Sequence, residues 1–225
     1  MRHFADRTDA GRRLAQRLQE HFAAQGGAST DADAAPSHRA TDLVVLGLPR
    51  GGVPVAAEVA RALQAPLDVL IVRKVGVPWH PELAMAAVGE EDAVVRNDSV
   101  IAASGIPRGE REAAEQRERD EVARRASRFR GDRPPLSLAG RTALIIDDGI
   151  ATGASMRAAC AIARARHAGR IVVAAPVAPA DVIDVLRGEV DDVVCLHTPA
   201  DFMAVGMHYL DFRQTSDAEV ERLMS

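Results

Sequence analysis

The fold of this chain is limited most strongly by five short apolar runs that are rich in valine, isoleucine and leucine. Each run is long enough for one strand and lacks the polar alternation of a strand with one face in solvent. Continuous apolar runs of this kind are typical of strands buried on both faces of a parallel sheet. The runs occupy residues 43–48, 67–72, 142–147, 170–177 and 192–197.

Segments with apolar residues at helical spacing lie between several of these runs, at 53–64, 155–169 and 180–189. A repeated order of strand, helix and strand produces right-handed crossovers, which place helices on the faces of the sheet. We therefore expect an α/β fold with an open parallel sheet of about five strands and flanking helices. Two more helices are predicted at 8–25 and 216–224.

The remaining segments predict additions to this sheet. Small and polar residues at 26–40 indicate a mobile loop, so we expect 1–40 to form an N-terminal helix followed by that loop. Residues 41–200 are predicted to form the α/β core, in which 76–135 is a lid or insert. Residues 201–225 are predicted to form a C-terminal hood segment.

The predicted insert contains two short β-like pieces, at 83–89 and 93–96, and a charge-dense helix at 108–130. The acidic and basic residues of this helix nearly balance at helical spacing, which is typical of a solvated face. The alternative is that the helix offers a basic surface to a phosphorylated ligand.

Charge, hydropathy and cysteine content argue against several classes of protein. The 225 residues carry a formal net charge of -4, which argues against non-specific nucleic-acid binding. No apolar run approaches the ~18 residues that cross a bilayer, and the start lacks a secretory apolar segment. The cysteines, Cys160 and Cys195, lie in apolar contexts without metal-binding spacing. We therefore expect a cytosolic protein that binds neither membranes nor nucleic acid.

The clearest functional pattern is the sequence ALIIDDGIATGAS at 143–155. A buried strand ends at Asp147 and Asp148, and a loop of small residues then opens a helix. Such a loop lies beyond the carboxyl ends of the strands, where ligands bind in open α/β sheets. The two carboxylates can accept hydrogen bonds from the vicinal hydroxyls of a ribose or bind Mg²⁺, although one acid would also suit a helix cap. The residues predicted to hold a phosphate through bare N–H groups and hydroxyls are Gly149, Ala151, Thr152, Gly153, Ala154 and Ser155.

A second pattern follows the first apolar run, where Arg50 stands between Pro49 and the pair Gly51 and Gly52. Glycines allow the backbone to approach an anion closely, and an arginine supplies a fork of donors. A plain turn from strand to helix is the alternative.

A third pattern follows the second apolar run, which ends in Arg73 and Lys74. Two cations at the carboxyl end of a strand, beside a predicted anion-binding turn, suit a leaving group with several negative charges. Surface cations with a nearby loop histidine, His80, are the alternative. Trp79 is assigned either to the core or to a lid.

The 143–155 pattern resembles the signature that binds phosphoribosyl pyrophosphate (PRPP) in type I phosphoribosyltransferases. From about residue 40 to the C terminus, the chain resembles the subgroup described as predicted phosphoribosyltransferases. The resemblance implies that the turn with Arg50, Gly51 and Gly52 grips pyrophosphate, and that the cis peptide often found there joins Pro49 to Arg50. Arg73 and Lys74 resemble the pair that opens the catalytic loop of orotate-type members.

Residues 198–212 concentrate aromatic side chains in a chain with 3% aromatic residues. Purine-type members of the resembled family stack the base on an aromatic residue in such a segment and read its edge with a carboxylate. By this resemblance, Phe202, Tyr209 and Asp211 are candidates for binding the base. The alternative is that these aromatic residues pack against the edge of the sheet.

The resemblance implies a Mg²⁺-dependent enzyme that transfers the phosphoribosyl group of PRPP to a nitrogenous base and releases pyrophosphate. A purine-like base and a role in nucleotide salvage are expected. Asp147, Asp148, Arg73 and Lys74 are the candidate catalytic residues, and the two acids would also bind Mg²⁺ directly or through water. We expect a homodimer. The alternative function is a regulator that senses PRPP with the same fold but catalyses nothing.

Overall fold

The computed structural model describes residues 3–26 and 42–225. The strands are β1 (Leu43–Gly47), β2 (Leu67–Val69), β3 (Val72–Val77), β4 (His80–Gly89), β5 (Val94–Arg96), β6 (Thr142–Ile146), β7 (Arg170–Val177) and β8 (Asp192–His197). The helices are α1 (Arg7–Gly26), α2 (Gly52–Leu63), α3 (Asp98–Ser104), α4 (Arg108–Arg130), α5 (Ala154–Ala165), α6 (Ala180–Arg187) and α7 (Asp217–Met224). The loop predicted over 26–40 cannot be compared with the structure beyond Gly26, which ends α1, because residues 27–40 lie outside the described residues.

The main layer is a parallel sheet with the strand order β2-β1-β6-β7-β8. This arrangement confirms the predicted α/β fold with an open five-stranded sheet. The chain leaves β1 toward β2 on one side and leaves β6 toward β7 on the other. The carboxyl ends of β1 and β6 therefore form a topological switch point, where α/β sheets of this kind bind ligands.

Both faces of this sheet are buried because helices cover each of them. Val45 and Leu144 pack against α1 and α2, whereas their neighbours Val44 and Ile145 pack against α5 and α6. Alternate residues of a strand point to opposite faces, so a strand covered on both sides is apolar throughout. This packing explains why the sequence shows continuous apolar runs.

The second apolar run was predicted as one strand over 67–72, and this prediction is wrong. β2 ends at Val69, and the chain then enters β3 of a separate antiparallel sheet with the order β3-β4-β5. Leu70 and Ile71 between the two strands are buried, so no polar residue marks the change of sheet. Arg73 and Lys74 consequently lie within β3.

Helix α4 packs on the second sheet and on α7. Its buried residues Ala114, Val122 and Phe129 join a cluster with Val75 and Val88 of the second sheet. The helix predicted over 108–130 is thus present, but its face toward this sheet is not solvated. Among the described residues, no helix is long and apolar enough to cross a membrane.

Candidate active site

A cavity of about 200 Å³ opens at the carboxyl ends of β1 and β6. Its walls come from the turn after β1, the acid after β6, the first turns of α5, and β3 and α4. We call it the switch-point cavity. It is lined by Leu48, Pro49, Leu70, Ile71, Val72, Arg73, Lys74, Arg125, Asp147, Ser155 and Ala158.

The turn after β1 lies directly against the end of β6. A Cβ atom on Gly52 would stand 2.5 Å from the carbonyl oxygen of Ile146, and one on Gly51 would overlap the carboxylate of Asp148. Gly52 therefore requires glycine because it lies against backbone, whereas a side chain at Gly51 would have to displace the Asp148 carboxylate. The peptide bond between Pro49 and Arg50 is cis, as the resemblance implied.

Replacing Gly52 with alanine is expected to destabilise the protein by about 1–3 kcal/mol, because the added methyl group meets backbone that cannot move aside. The measurement is urea unfolding. Gly109 is the matched control, since a Cβ atom there meets nothing within 4 Å and alanine favours the helix. Equal stability of the Gly52→Ala and Gly109→Ala variants would contradict this tight packing.

The two acids after β6 face different surroundings. Asp147 lines the switch-point cavity, and its Oδ1 accepts a hydrogen bond of 2.9 Å from the backbone N–H of Asp148. Desolvation, together with the neighbouring Asp148 carboxylate, raises the pKa of Asp147 above its usual value. The Asp148 carboxylate does not line this cavity and pairs with Arg7 at 2.7 Å.

Arg7, at the start of α1, is a site residue that the sequence did not indicate. Its side chain is 12% exposed, and it also donates to the carbonyl oxygen of Arg213 at 2.7 Å. Its guanidinium lies 4.1 Å from the ring centre of Phe212. Arg7 and Asp148 are 141 residues apart, and no local pattern links them. The N-terminal helix therefore contributes to the surroundings of the site.

The three residues predicted to bind a base do not line the switch-point cavity. Tyr209 is buried, with its ring 5.3 Å from that of Phe4, and its hydroxyl donates to the carbonyl oxygen of Asp148 at 2.5 Å. The alternative, in which aromatic residues of this segment pack against the fold, therefore describes Tyr209.

Phe202 and Asp211 are partly exposed. The Phe202 ring stacks on His208 with ring centres 5.7 Å apart, and Asp211 lines a separate small cavity with Arg7 and Arg213. Phe202 thus remains available to contact a ligand from outside the cavity.

Three cations line the switch-point cavity together with Asp147, the one carboxylate among its described lining residues, and one of these cations was not expected there. Arg73 and Lys74 come from β3, and Arg125 comes from the charge-dense helix α4. Arg73 forms an ion pair of 2.7 Å with Glu118, which also belongs to α4. Arg125, on the helix predicted to have a solvated face, is 34% exposed, pairs with Glu121 at 2.6 Å and lines this cavity. The cavity is suited to a ligand with several negative charges.

Arg50 is directed elsewhere. Its side chain lines a second cavity beyond Pro49 and pairs with Asp217 at 3.2 Å. The other residues mentioned with the third pattern lie at the far end of the second sheet. Trp79 is 57% exposed in the turn between β3 and β4, so it is not a core residue, and His80 is exposed at the start of β4.

The loop after the two acids leads into α5. Gly153 has a φ of 74°, a left-handed conformation that glycine adopts without strain, and it stands just before the first helical residue. Ala151, Thr152 and Ser155 are exposed, and Ser155 also lines the switch-point cavity. The first N–H groups of a helix lack partners within it, so this end of α5 can hold an anion.

The site offers few protein ligands for a metal ion. No three histidine, cysteine, aspartate or glutamate side chains converge within residues 3–26 and 42–225 in a way that could hold one. Asp147 reaches the switch-point cavity, whereas Asp148 is neutralised by Arg7. The residues present therefore fit a Mg²⁺ ion that takes one carboxylate from the protein and its other ligands from substrate and water.

Comparison with known proteins gives related sequences and a close structural match. The phosphoribosyl transferase domain family matches residues 32–211. Two Mycobacterium tuberculosis proteins, each named "Putative phosphoribosyl transferase" (MT0597 and Rv0571c), are 51% identical over 220 residues, which are 98% of this chain and 46% of theirs. The chain thus spans about half the length of these curated relatives. The crystal structure of TT1426 from Thermus thermophilus matches with a TM-score of 0.83 and 40% identity, over 99% of this chain and 97% of that one.

Proposed function

The chain belongs to the phosphoribosyl transferase domain family, and from this membership we propose that it binds PRPP and transfers the phosphoribosyl group to a nitrogenous base. The observation that carries the proposal is the switch-point cavity. There Asp147 stands among Arg73, Lys74 and Arg125, beside the exposed start of α5. PRPP has a ribose with a phosphate on one side and a pyrophosphate on the other. It therefore needs N–H donors for the phosphate, a carboxylate for the ribose hydroxyls and cations for the pyrophosphate.

In this arrangement the 5′-phosphate lies against the loop 151–155 and the first N–H groups of α5. The carboxylate of Asp147 accepts hydrogen bonds from the ribose hydroxyls. Asp148 can bind the same hydroxyls only after its ion pair with Arg7 breaks. We therefore assign most of the ribose binding to Asp147. The backbone of Gly51 and Gly52 approaches the pyrophosphate, and the Arg50 side chain contributes if it leaves Asp217.

The chain's own residues promote transfer by stabilising the leaving group. The bond between C1 of the ribose and the pyrophosphate oxygen breaks, its electron pair leaves with the oxygen, and a base nitrogen forms the new bond to C1 and releases its proton to water. Arg73, Lys74 and Arg125 lie where negative charge develops on the pyrophosphate. When bound, Mg²⁺ held by Asp147 and substrate oxygens would neutralise part of this charge. The second sheet and α4 form walls of the cavity, which reduces the contact of a bound substrate with water.

We assign the acceptor to the class of purine-like bases and the reaction to nucleotide salvage, as the resemblance implies. Phe202 stacks on His208 with one face and is partly exposed, so it is the aromatic residue of the base-binding set with ring surface left for a base. We also propose a cytosolic homodimer, which analytical ultracentrifugation and fractionation of cells would test.

The proposal is tested by isothermal titration of PRPP with and without Mg²⁺, followed by assays of pyrophosphate release with a panel of free bases. We expect PRPP binding that needs Mg²⁺ and is lost in the Asp147→Asn, Asp148→Asn double variant. Turnover with one base identifies the acceptor. Binding without turnover on any base would favour the PRPP-sensing regulator, and wild-type PRPP affinity in the double variant would refute the site.

Replacing Arg125 with glutamine is expected to weaken PRPP binding about tenfold or more, because a hydrogen bond to a charged group contributes about 1.5–3 kcal/mol. The measurement is the same titration. Arg117 is the matched control, since it is exposed on the same helix and does not line the switch-point cavity. An unchanged PRPP affinity in Arg125→Gln would remove α4 from the site.

A further inference from the structure

A second cavity, of about 380 Å³, lies on the other side of the turn after β1. The turn after β1, the last turns of α4 and the start of α7 form its walls. We call it the arginine cavity, because most of its lining residues are arginines. It is lined by Pro49, Arg50, Arg124, Arg125, Arg128, Phe129 and Asp217.

The positive charge of this cavity comes from an uneven distribution of charge along α4. The acids of the helix end at Glu121, and the following residues 122–131 contain arginines but no acid. Arg124 and Arg128 are four residues apart and therefore lie on one face of the helix. The near balance of charges seen over the whole helix does not hold for its last turns.

Three carboxylates pair with these arginines: two of them are each shared by two arginines, and Glu221 accepts from Arg128 alone at 3.2 Å. Glu121 accepts from Arg124 at 2.8 Å and from Arg125 at 2.6 Å. Asp217 accepts from Arg50 at 3.2 Å and from Arg128 at 2.8 Å, and it is the acid that lines the arginine cavity. Each guanidinium has five N–H donors, so shared carboxylates leave donor capacity for another anion.

We propose that the arginine cavity is a second anion site, which takes a polyphosphate group while PRPP occupies the switch-point cavity. Planar guanidinium groups pair with phosphate oxygens in a bidentate manner, and several of them around one cavity suit linked phosphates better than a single carboxylate. Asp217 holds the position of the anion when no ligand is bound. This site goes beyond the proposed transfer reaction and does not depend on it.

The two cavities are adjacent because both are lined by Pro49 and Arg125. A ligand in the arginine cavity would therefore lie behind the turn that is proposed to approach the pyrophosphate of PRPP. Linked phosphate groups in the arginine cavity could come from two sources: a separate polyphosphate, or the pyrophosphate of PRPP itself if it extended past Pro49. We assign the site to a separate polyphosphate, since Arg50 faces away from the cavity that holds Asp147.

The test is titration of inorganic pyrophosphate into the 225-residue chain in the presence of Mg²⁺ and saturating PRPP. We expect pyrophosphate to bind without displacing PRPP. The Arg124→Gln, Arg128→Gln double variant is expected to weaken this binding about tenfold or more and to leave PRPP affinity unchanged. Arg108→Gln, Arg117→Gln makes the same change of charge elsewhere on α4 and is expected to have no effect.

Asp217→Asn provides a test of opposite sign. Removing the carboxylate that competes for Arg50 and Arg128 is expected to strengthen pyrophosphate binding several-fold, with the fold checked by thermal unfolding. Pyrophosphate that binds only by displacing PRPP, or whose binding beside PRPP ignores the double substitution, would overturn the proposal, as would weaker binding in Asp217→Asn. Failure of the transferase proposal is distinguishable, because it appears as absent PRPP binding. Pyrophosphate binding would then still respond to both sets of variants.

Discussion

Replacing Asp147 with asparagine is expected to lower kcat/KM for PRPP-dependent transfer by about 100-fold or more. Asp147 is the single carboxylate among the lining residues of the switch-point cavity, as far as the described chain shows. Asparagine keeps the size of the side chain but removes the charge that ribose hydroxyls and a divalent cation would contact. Loss of one preorganised electrostatic contact at a reacting centre typically costs about 10²–10³ in rate. The measurement is steady-state kinetics once an acceptor base is identified.

The neighbouring acid provides an informative comparison. Asp148→Asn leaves Arg7, which is largely buried, without its partner, so we expect a larger loss of stability than in Asp147→Asn. Asp184→Asn is the neutral control, because Asp184 is exposed on α6 and pairs with Arg187 away from the cavity. Full activity in a folded Asp147→Asn variant would show that the structure assigns the wrong acid to the ribose.

Replacing Arg130 with alanine is expected to destabilise the protein by about 3–5 kcal/mol, because it leaves two buried carboxylates unpaired. The Arg130 side chain is 4% exposed. It donates to Asp68 of β2 at 2.8 Å, to Glu90 after β4 at 3.0 Å, and to the carbonyl oxygen of Val69 at 3.2 Å. The residue thus joins the parallel sheet, the second sheet and α4. Urea unfolding measures the effect.

The matched control for this prediction is Arg108→Ala on the same helix. Arg108 is 83% exposed and pairs with Glu112 one turn away, an arrangement that contributes at most about 0.5 kcal/mol. If Arg130→Ala lost no more stability than Arg108→Ala, the buried network would not hold the two sheets together. Because α4 also carries Arg125, a folded Arg130→Ala variant is expected to bind PRPP more weakly as well.

The sequence by itself determined four of the five strands of the parallel sheet, most of the helices and the position of the principal motif. Continuous apolar runs and helical spacing indicate burial directly, because the burial of a side chain depends on the face of its own strand or helix on which it lies. The ends of the predicted strands at 142–147, 170–177 and 192–197 agree with β6, β7 and β8 within one residue. The acids and small residues of 143–155 are contiguous, so their placement at the end of β6 required no knowledge of the rest of the fold.

Tertiary structure alone decided which charged side chains meet. Arg7 reaches Asp148 across 141 residues, Arg125 enters the switch-point cavity from a helix that was predicted to be solvated, and Arg50 turns away to Asp217. The division of 67–72 between two sheets was equally hidden, because both halves are buried and apolar. Local patterns fix how deeply a residue is buried, but they do not encode its distant neighbours. Ion-pair partners are set by the packing of whole elements, and charge patterns along α4 therefore did not indicate which of its arginines line the switch-point cavity.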